Sequence, residues 1–227
     1  MVLLAAALAL AAPQASPPAP AGSVEQQNEP RLMTAAQLLR DHQPQQALEV
    51  ADTALAAYDA DLAHEKRRLY CGMSTQESIL YAGMAARDHV GAAILPPGYC
   101  TALYIKGFAL IDLGRQVEAK AVYQRVVALA PNHAQFITEL GQVSRLEKDW
   151  PTMLATCQRA GAAAAIASPD VSAMQRTAAL RCQGYALVEE HRLDEAEARY
   201  REALSIDPND QKSQGELRFI AQQRAKH

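Results

Sequence analysis

The sequence predicts an all-α protein, built as a solenoid of antiparallel helix pairs that ends in a capping helix. The first observation is a repeated pattern, since Gly184 to Asn209 and Gly107 to Asn132 share a Gly, an Ala-Leu, a Glu-Ala, a Tyr and a closing Pro-Asn in one register. The second is the offset of 77 residues, which equals one 34-residue and one 43-residue step. Periods of about 20 to 50 residues are typical of stacked repeats that cannot bury an apolar face alone.

One unit of this pattern contains every part of a helical hairpin. Gly184 and Ala196 lie on its two helices, and such small residues let the helix backbones approach closely. Tyr200 and Ala203 follow Ala196 at helical spacing, so they share its face. Pro208 ends the second helix, because proline cannot continue a helix.

The spacing resembles that of the tetratricopeptide repeat family, whose signature positions are filled in three units. Counted from Thr177, these positions hold Leu180, Gly184, Leu187, Ala196, Tyr200, Ala203 and Pro208. Counted from Cys100, they hold Leu103, Gly107, Leu110, Ala119, Tyr123, Val126 and Pro131, with Val126 as a departure. A weaker unit from Ala134 has Met153 at a small-residue position, lacks a closing proline, and matches at Ile137, Leu140, Gly141, Trp150, Cys157 and Ala160. The resemblance implies a right-handed solenoid.

Composition allows one solenoid domain. The chain has 227 residues, of which 49% are hydrophobic and 21% charged, so apolar surface suffices for a core. The net charge of −3 gives no electrostatic footprint for nucleic acid, and we expect no nucleic-acid partner.

The first 29 residues lack the repeat pattern. Val2 to Ala12 is an apolar run that is too short to span a bilayer, so we expect no integral membrane span there. It suits a secretory signal over residues 1–15, with Ala9 and Ala11 as an Ala-x-Ala exit. No Lys or Arg precedes the run, and the alternative is an uncleaved or cytosolic tail. The composition of residues 16–29, rich in Pro, Ala and small polar residues, predicts a disordered linker. A periplasmic or secreted bacterial protein is therefore expected, with a cytoplasmic one as the alternative.

The solenoid is predicted over residues 30–227. Residues 30–58 form a first hairpin, in which Pro44 opens the second helix. Residues 59–99 exceed the period, and we predict a divergent hairpin with one helix through Arg68 and another from about Thr75 to Ile94. The alternative is one very long helix followed by a capping helix.

Three hairpins and a cap complete the prediction, at residues 100–133, 134–168, 169–210 and 211–225. Ser168 and Pro169 are a good helix start, so the first helix of the last hairpin is expected to run from Pro169 to about Glu190. The cap shields the final apolar face, as solenoids require.

The four cysteines form two candidate disulfide pairs. Cys157 faces the next hairpin, whose first helix carries Cys182, while Cys71 and Cys100 bracket the excess segment. An even count beside a secretory signal favours disulfides, although buried free cysteines are the alternative. A zinc site through His89 is not expected, because no Cys-x-x-Cys occurs.

Catalytic motifs and cofactor sites are not expected. No phosphate-binding loop, nucleophile elbow or His-Glu-x-x-His helix occurs in the sequence. His42 and His191 occupy equivalent inter-helix turns, which gives them a structural role. We therefore expect that the protein is not an enzyme. A redox or metal-dependent activity through the cysteines is a further alternative, after the two binding and structural functions described next.

The first helix of each hairpin carries one line of residues that faces its partner helix and a second line of residues at helical spacing beside it. This second line, here called the stripe, predicts a binding groove. The resemblance implies that peptides or helices of other proteins bind on this concave side. The stripe residues are Tyr104, Phe108, Ile111, Thr138, Gln142, Arg145, Arg181 and Tyr185. Aromatic side chains there suit interface anchors, and the two arginines predict a preference for acidic segments. One alternative is that Phe108 and Tyr185 only fill gaps between adjacent first helices. Another is that the protein is a self-assembling structural component of the cell envelope.

Overall fold

The computed structural model describes residues 22–225, which contain ten α-helices, one 3-10 turn and two short strands. The 3-10 turn is Ala164–Ile166. The helices and strands, in chain order, are α1 (Val24–Arg40), α2 (Pro44–Asp61), β1 (Arg68–Cys71), α3 (Thr75–Arg87), β2 (Ala92–Leu95), α4 (Gly98–Asp112), α5 (Gln116–Leu129), α6 (Ala134–Leu146), α7 (Trp150–Ala163), α8 (Pro169–Glu189), α9 (Leu193–Ile206) and α10 (Gln211–Arg224).

Consecutive helices pack in pairs, and the pairs stack. The hairpins are α1 with α2, α4 with α5, α6 with α7, and α8 with α9. The second helix of each hairpin packs on the first helix of the next, and α10 packs on α9 at the end. The predicted helical solenoid is confirmed, and the long α8 and the capping helix begin at the expected residues.

Each hairpin turn reverses the chain through one left-handed residue. The φ angles are 56° at His42, 73° at Gly114, 56° at Lys148 and 60° at His191. The next amide N–H donates back into the last turn of the helix, as from Arg192 to the Leu187 carbonyl at 2.9 Å. This pattern satisfies carbonyls that a helix end leaves without partners.

Small residues let the two helices of a hairpin touch. A Cβ atom placed on Gly107 would lie 2.6 Å from Cζ of Tyr123, and one on Gly184 would lie 2.6 Å from Cζ of Tyr200. Both tyrosine rings are buried. Each glycine therefore provides the space for the ring of the facing helix.

Helix α1 begins earlier than the sequence predicted. Residues 24–29, expected in the linker, are helical, because the Ser23 hydroxyl caps the helix by accepting from the Gln26 N–H at 3.3 Å. Tertiary contacts hold this start, since the Glu25 carboxylate accepts from the Tyr58 hydroxyl at 2.8 Å and from the Gly98 N–H at 3.0 Å. The signal peptide predicted at 1–15 lies outside the described residues, as does the linker up to residue 21.

The divergent hairpin predicted over 59–99 was wrong. The segment forms β1, α3 and β2, and the two strands pair in parallel with Tyr70 opposite Ile94. Helix α3 stops at Arg87 because the chain turns at His89, whose φ is 53°, and then passes through Gly91 into a short apolar strand. A parallel pair needs a crossover connection, and α3 supplies it.

This β-α-β insertion docks on the turn between α5 and α6. The Tyr70 and Tyr81 rings stack with centroids 5.1 Å apart, and the Tyr81 hydroxyl accepts from the Asn132 N–H at 3.2 Å. Nδ1 of His133 lies 2.7 Å from a Glu77 carboxylate oxygen. Helices α2 and α4 still pack directly on each other, so the solenoid continues past the insertion.

Two disulfides join neighbouring elements. Cys71 is bonded to Cys100, with Cα atoms 6.2 Å apart, and this bond ties β1 to α4. Cys157 is bonded to Cys182, with Cα atoms 5.9 Å apart, and this bond ties α7 to α8. Among residues 22–225, no group of three or more His, Cys, Asp or Glu side chains is arranged to hold a metal ion. In the same part of the chain, every helix is too short or too polar to cross a bilayer.

Candidate functional site

Two cavities adjoin on the face formed by the first helices of successive hairpins. The smaller one, of about 250 Å³, lies between α4 and α6 with Tyr123 of α5 at its base. The larger one, of about 460 Å³, lies between α6 and α8 and reaches the end of α9. Glu139 of α6 lines both of them. We refer to the two cavities together as the inner groove.

Six of the eight predicted groove residues line the inner groove. The smaller cavity contains Phe108, Ile111, Gln142 and Arg145. The larger cavity contains Thr138 and Arg181. The hydroxyl of Thr138 donates to the Ala134 carbonyl at 2.9 Å within its own helix, so it offers little to a ligand.

Tyr104 packs behind the groove wall. Its ring centroid lies 4.9 Å from that of Phe108 and 5.3 Å from that of Phe136. Its hydroxyl accepts from Nε2 of Gln135 at 2.5 Å. Burial, with a smaller contribution from the nearby Glu139 carboxylate, raises the pKa of Tyr104. Tyr104 therefore packs between the half-buried Phe108 ring and the buried Phe136 ring.

Both predicted arginines have partners within the protein. A guanidinium nitrogen of Arg181 lies 3.0 Å from the Asp210 carboxylate, which is largely buried at the start of α10. The Arg145 guanidinium lies over the Tyr185 ring, 4.7 Å from its centroid, and Trp150 contacts the same ring edge-on. The expected preference for acidic segments therefore depends on guanidinium groups that the fold already uses.

Glu139 is the functional candidate that sequence reasoning missed. It follows Thr138 on α6 and is not one of the residues predicted to line the groove on that helix, which are Thr138, Gln142 and Arg145. Its side chain is partly buried, and burial raises its pKa to about 7. Within residues 22–225, its carboxylate makes no hydrogen bond or ion pair. The only sequence signal was one acidic residue in a helix otherwise rich in Phe, Ile, Leu and Val.

The extra turns of α8 form the outer wall of the larger cavity. Ala173 and Met174 of these turns line it, followed by Thr177 and Ala178 at the start of the repeat, and Met174 is 63% exposed. Helix α8 begins at the predicted Pro169, and it also packs on the 3-10 turn Ala164–Ile166 at the end of α7. The flexible, apolar side chain of Met174 lies at the edge of the groove, where it can adapt its conformation to a ligand.

A third cavity continues the same face toward the amino-terminal end. It has a volume of about 450 Å³ and lies between α1 and α4, where Met33, Ala36 and Ile105 supply apolar surface. Glu25 and Glu29 supply carboxylates at its rim. No residue of this cavity belonged to the predicted groove.

Comparisons with known proteins agree with this architecture. The family model described as tetratricopeptide repeat matches residues 101–133 and 183–210, which are the α4–α5 and α8–α9 units. No curated protein matches the sequence.

Solved structures resemble this one in fold. A putative kinesin light chain from Podosopora anserina with nearly identical TPR-like repeats has a TM-score of 0.60 at 14% identity, over 91% of this chain and 90% of that one. MamA from Desulfovibrio magneticus RS-1 has a TM-score of 0.57 at 20% identity, over 90% and 89%. The first TPR domain of human RPAP3 has a TM-score of 0.50 at 24% identity, over 57% and 95%.

Proposed function

We propose that the protein is a non-catalytic interaction module that binds a peptide or helical segment of a partner protein in the inner groove. The observation that carries this proposal is the pair of cavities flanking α6, which meet at Glu139 and open on the face formed by α4, α6 and α8. The tetratricopeptide-like fold supports it, because solenoids of this type present extended concave surfaces for binding.

The chemistry of the groove suits the recognition of side chains. Phe108 and Ile111 offer apolar surface, and the Gln142 amide offers both a donor and an acceptor beside them. Ligand sites typically combine an apolar lining with a few polar groups that fix orientation. A partner segment that buries apolar residues there gains roughly 25 cal/mol for each Å² removed from water.

We further propose that the protein acts outside the cytoplasm of a bacterium. The apolar run Val2 to Ala12 supports export, and the two disulfides support an oxidising compartment. Fusing residues 1–15 and the following linker to a reporter that is active only in the periplasm tests this proposal. A reporter that stays inactive, while the same reporter on a known signal is active, contradicts it.

Selection from a library of random linear peptides tests the binding function. Selected peptides should bind the wild-type protein, and the variants Phe108→Ala and Gln142→Ala should bind them more weakly, because both side chains line the smaller cavity. Val117→Ala is the matched control, since Val117 is 82% exposed on α5 and outside the groove.

Thermal melting of every variant separates a loss of binding from a loss of folding. The proposal is wrong if selected peptides bind all three variants as tightly as the wild type. It is also wrong if no peptide is enriched over a library selected on the blank support.

A further inference from the structure

Glu139 gives the inner groove an uncompensated negative charge. Its carboxylate lies where the two cavities meet, and within residues 22–225 no cation is paired with it. A charge removed from water without a partner is unfavourable, and burial raises the pKa of Glu139 for that reason. The groups of the surrounding elements that bear charge or titrate near it are Tyr104 on α4, Tyr123 on α5, Arg145 on α6, Arg181 on α8 and Asp207 after α9.

None of these groups neutralises Glu139. The Glu139 carboxylate raises the pKa of Tyr123, after the larger effect of burial, so this phenol is neutral. Arg181 is held by Asp210 at 3.0 Å, and Arg145 lies over the Tyr185 ring at 4.7 Å. Asp207 adds a second carboxylate to the larger cavity. The groove therefore favours a positive charge at its centre.

We propose that the inner groove selects a peptide segment with a Lys or Arg side chain, whose cationic group pairs with the Glu139 carboxylate while neighbouring apolar residues enter the two cavities. This inference rests on the proposed function and names the partner's chemistry. A peptide fits better than a small amine, because the cavities lie on both sides of α6 and the ligand must fill space on each side of the carboxylate.

The proposed charge of the partner segment is positive, whereas the sequence predicted a negatively charged partner segment. Arg145 and Arg181 predicted an acidic partner, whereas both guanidinium groups contact residues of the protein itself. A cation within contact distance of Glu139 stabilises its ionised form. Binding then releases a proton from the fraction of molecules in which Glu139 is protonated, and affinity rises as the pH increases through about 7.

Four pools of short peptides with acetylated and amidated ends test the inference. Each pool has one fixed central residue, namely lysine, arginine, norleucine or glutamate, and random neutral residues on both sides. We expect the lysine and arginine pools to bind the wild-type protein about tenfold more tightly than the norleucine pool, and the glutamate pool to bind most weakly. In Glu139→Gln, the lysine pool should fall to the affinity of the norleucine pool, which itself stays unchanged.

Glu49→Gln is the matched control, because Glu49 is exposed on α2, a helix that does not line the inner groove, and its carboxylate accepts from the Gln45 amide at 3.0 Å. It should keep the lysine preference in full. A second readout is the carboxyl carbon resonance of Glu139, which should titrate at a lower pH when the lysine pool is bound. Calorimetry in two buffers of different ionisation enthalpy should show the release of about half a proton at pH 7 in the wild type and none in Glu139→Gln.

The outcomes separate this inference from the function on which it rests. If the norleucine pool binds as tightly as the lysine pool, and Phe108→Ala weakens both, the groove binds peptides without selecting a cation and the inference is wrong. If the lysine preference survives in Glu139→Gln, the inference is also wrong. If none of the four pools binds, both the proposed function and the inference are wrong.

Discussion

Replacing Gly107 by alanine should destabilise the protein, although alanine favours helix. The added Cβ would lie 2.6 Å from Cζ of Tyr123, whereas carbon atoms in contact normally lie about 3.5 to 4 Å apart. The ring must therefore move by about 1 Å, and it is only 1% exposed, so other core side chains must move with it. Such overpacking typically costs about 1 to 3 kcal/mol, and the better helix propensity returns about 1 kcal/mol. We expect a net loss of up to about 2 kcal/mol.

The control is Gly83→Ala in the middle of α3. No atom lies within 4 Å of a Cβ at Gly83, so only the helix propensity changes, and this variant should gain about 0.5 to 1 kcal/mol. Urea unfolding followed by circular dichroism gives both values on one scale. Gly184→Ala should repeat the loss, because its Cβ would lie 2.6 Å from Cζ of Tyr200. If Gly107→Ala is as stable as Gly83→Ala, the proposed close packing of glycine on tyrosine is refuted.

Three further predictions follow from the turns, the disulfides and the groove. Lys148→Gly should raise stability by about 1 kcal/mol in a urea titration, because Lys148 has a φ of 56°, a strained value for a residue with a side chain; Gly114→Ala should lower it for the same reason. Reduction should lower the melting temperature, and Cys157→Ser with Cys182→Ser should reproduce part of the drop, since a loop of this length contributes roughly 3 kcal/mol; an unchanged melting temperature contradicts this. Burial raises the pKa of Glu139 from 4.5 to about 7, so the folded protein binds that proton more tightly than the unfolded chain. The free energy of unfolding should thus fall as pH rises from about 4.5 to 7, and Glu139→Gln should remove about 2 kcal/mol of that fall; equal pH profiles for the two proteins refute the assignment.

The repeat pattern predicted most of the helical architecture because its signals are local and periodic. Glycine and tyrosine at fixed spacing mark the hairpin seams, and prolines mark helix boundaries, so α8 and α10 begin at the predicted residues. The β-α-β insertion was missed for the opposite reason. Its strands have four residues each, and Ala92–Leu95 is compatible with either a helix or a strand. What decides the outcome is the pairing with Arg68–Cys71, which lies more than twenty residues earlier in the chain.

Most residues predicted for the groove share one face of the structure, and their role in binding stays a prediction. Phe108 and Ile111 line it as expected, because helical periodicity identifies the inner face. The partner of Arg181 is Asp210, on the cap, and no local pattern connects these two residues. The proposed role of Glu139 depends on what surrounds it on three helices, which a single sequence does not display.

The β-α-β insertion changes how mechanical load travels along the solenoid. In a simple repeat array each unit touches only its neighbours, so the array can peel open one unit at a time. Here the Cys71–Cys100 bond joins the insertion to the second hairpin, α4 with α5. Tyr81 and Glu77 of the insertion contact Asn132 and His133, which lead into the third hairpin, α6 with α7. Pulling on the amino-terminal end therefore strains two further hairpins together, and that half should yield in a single step.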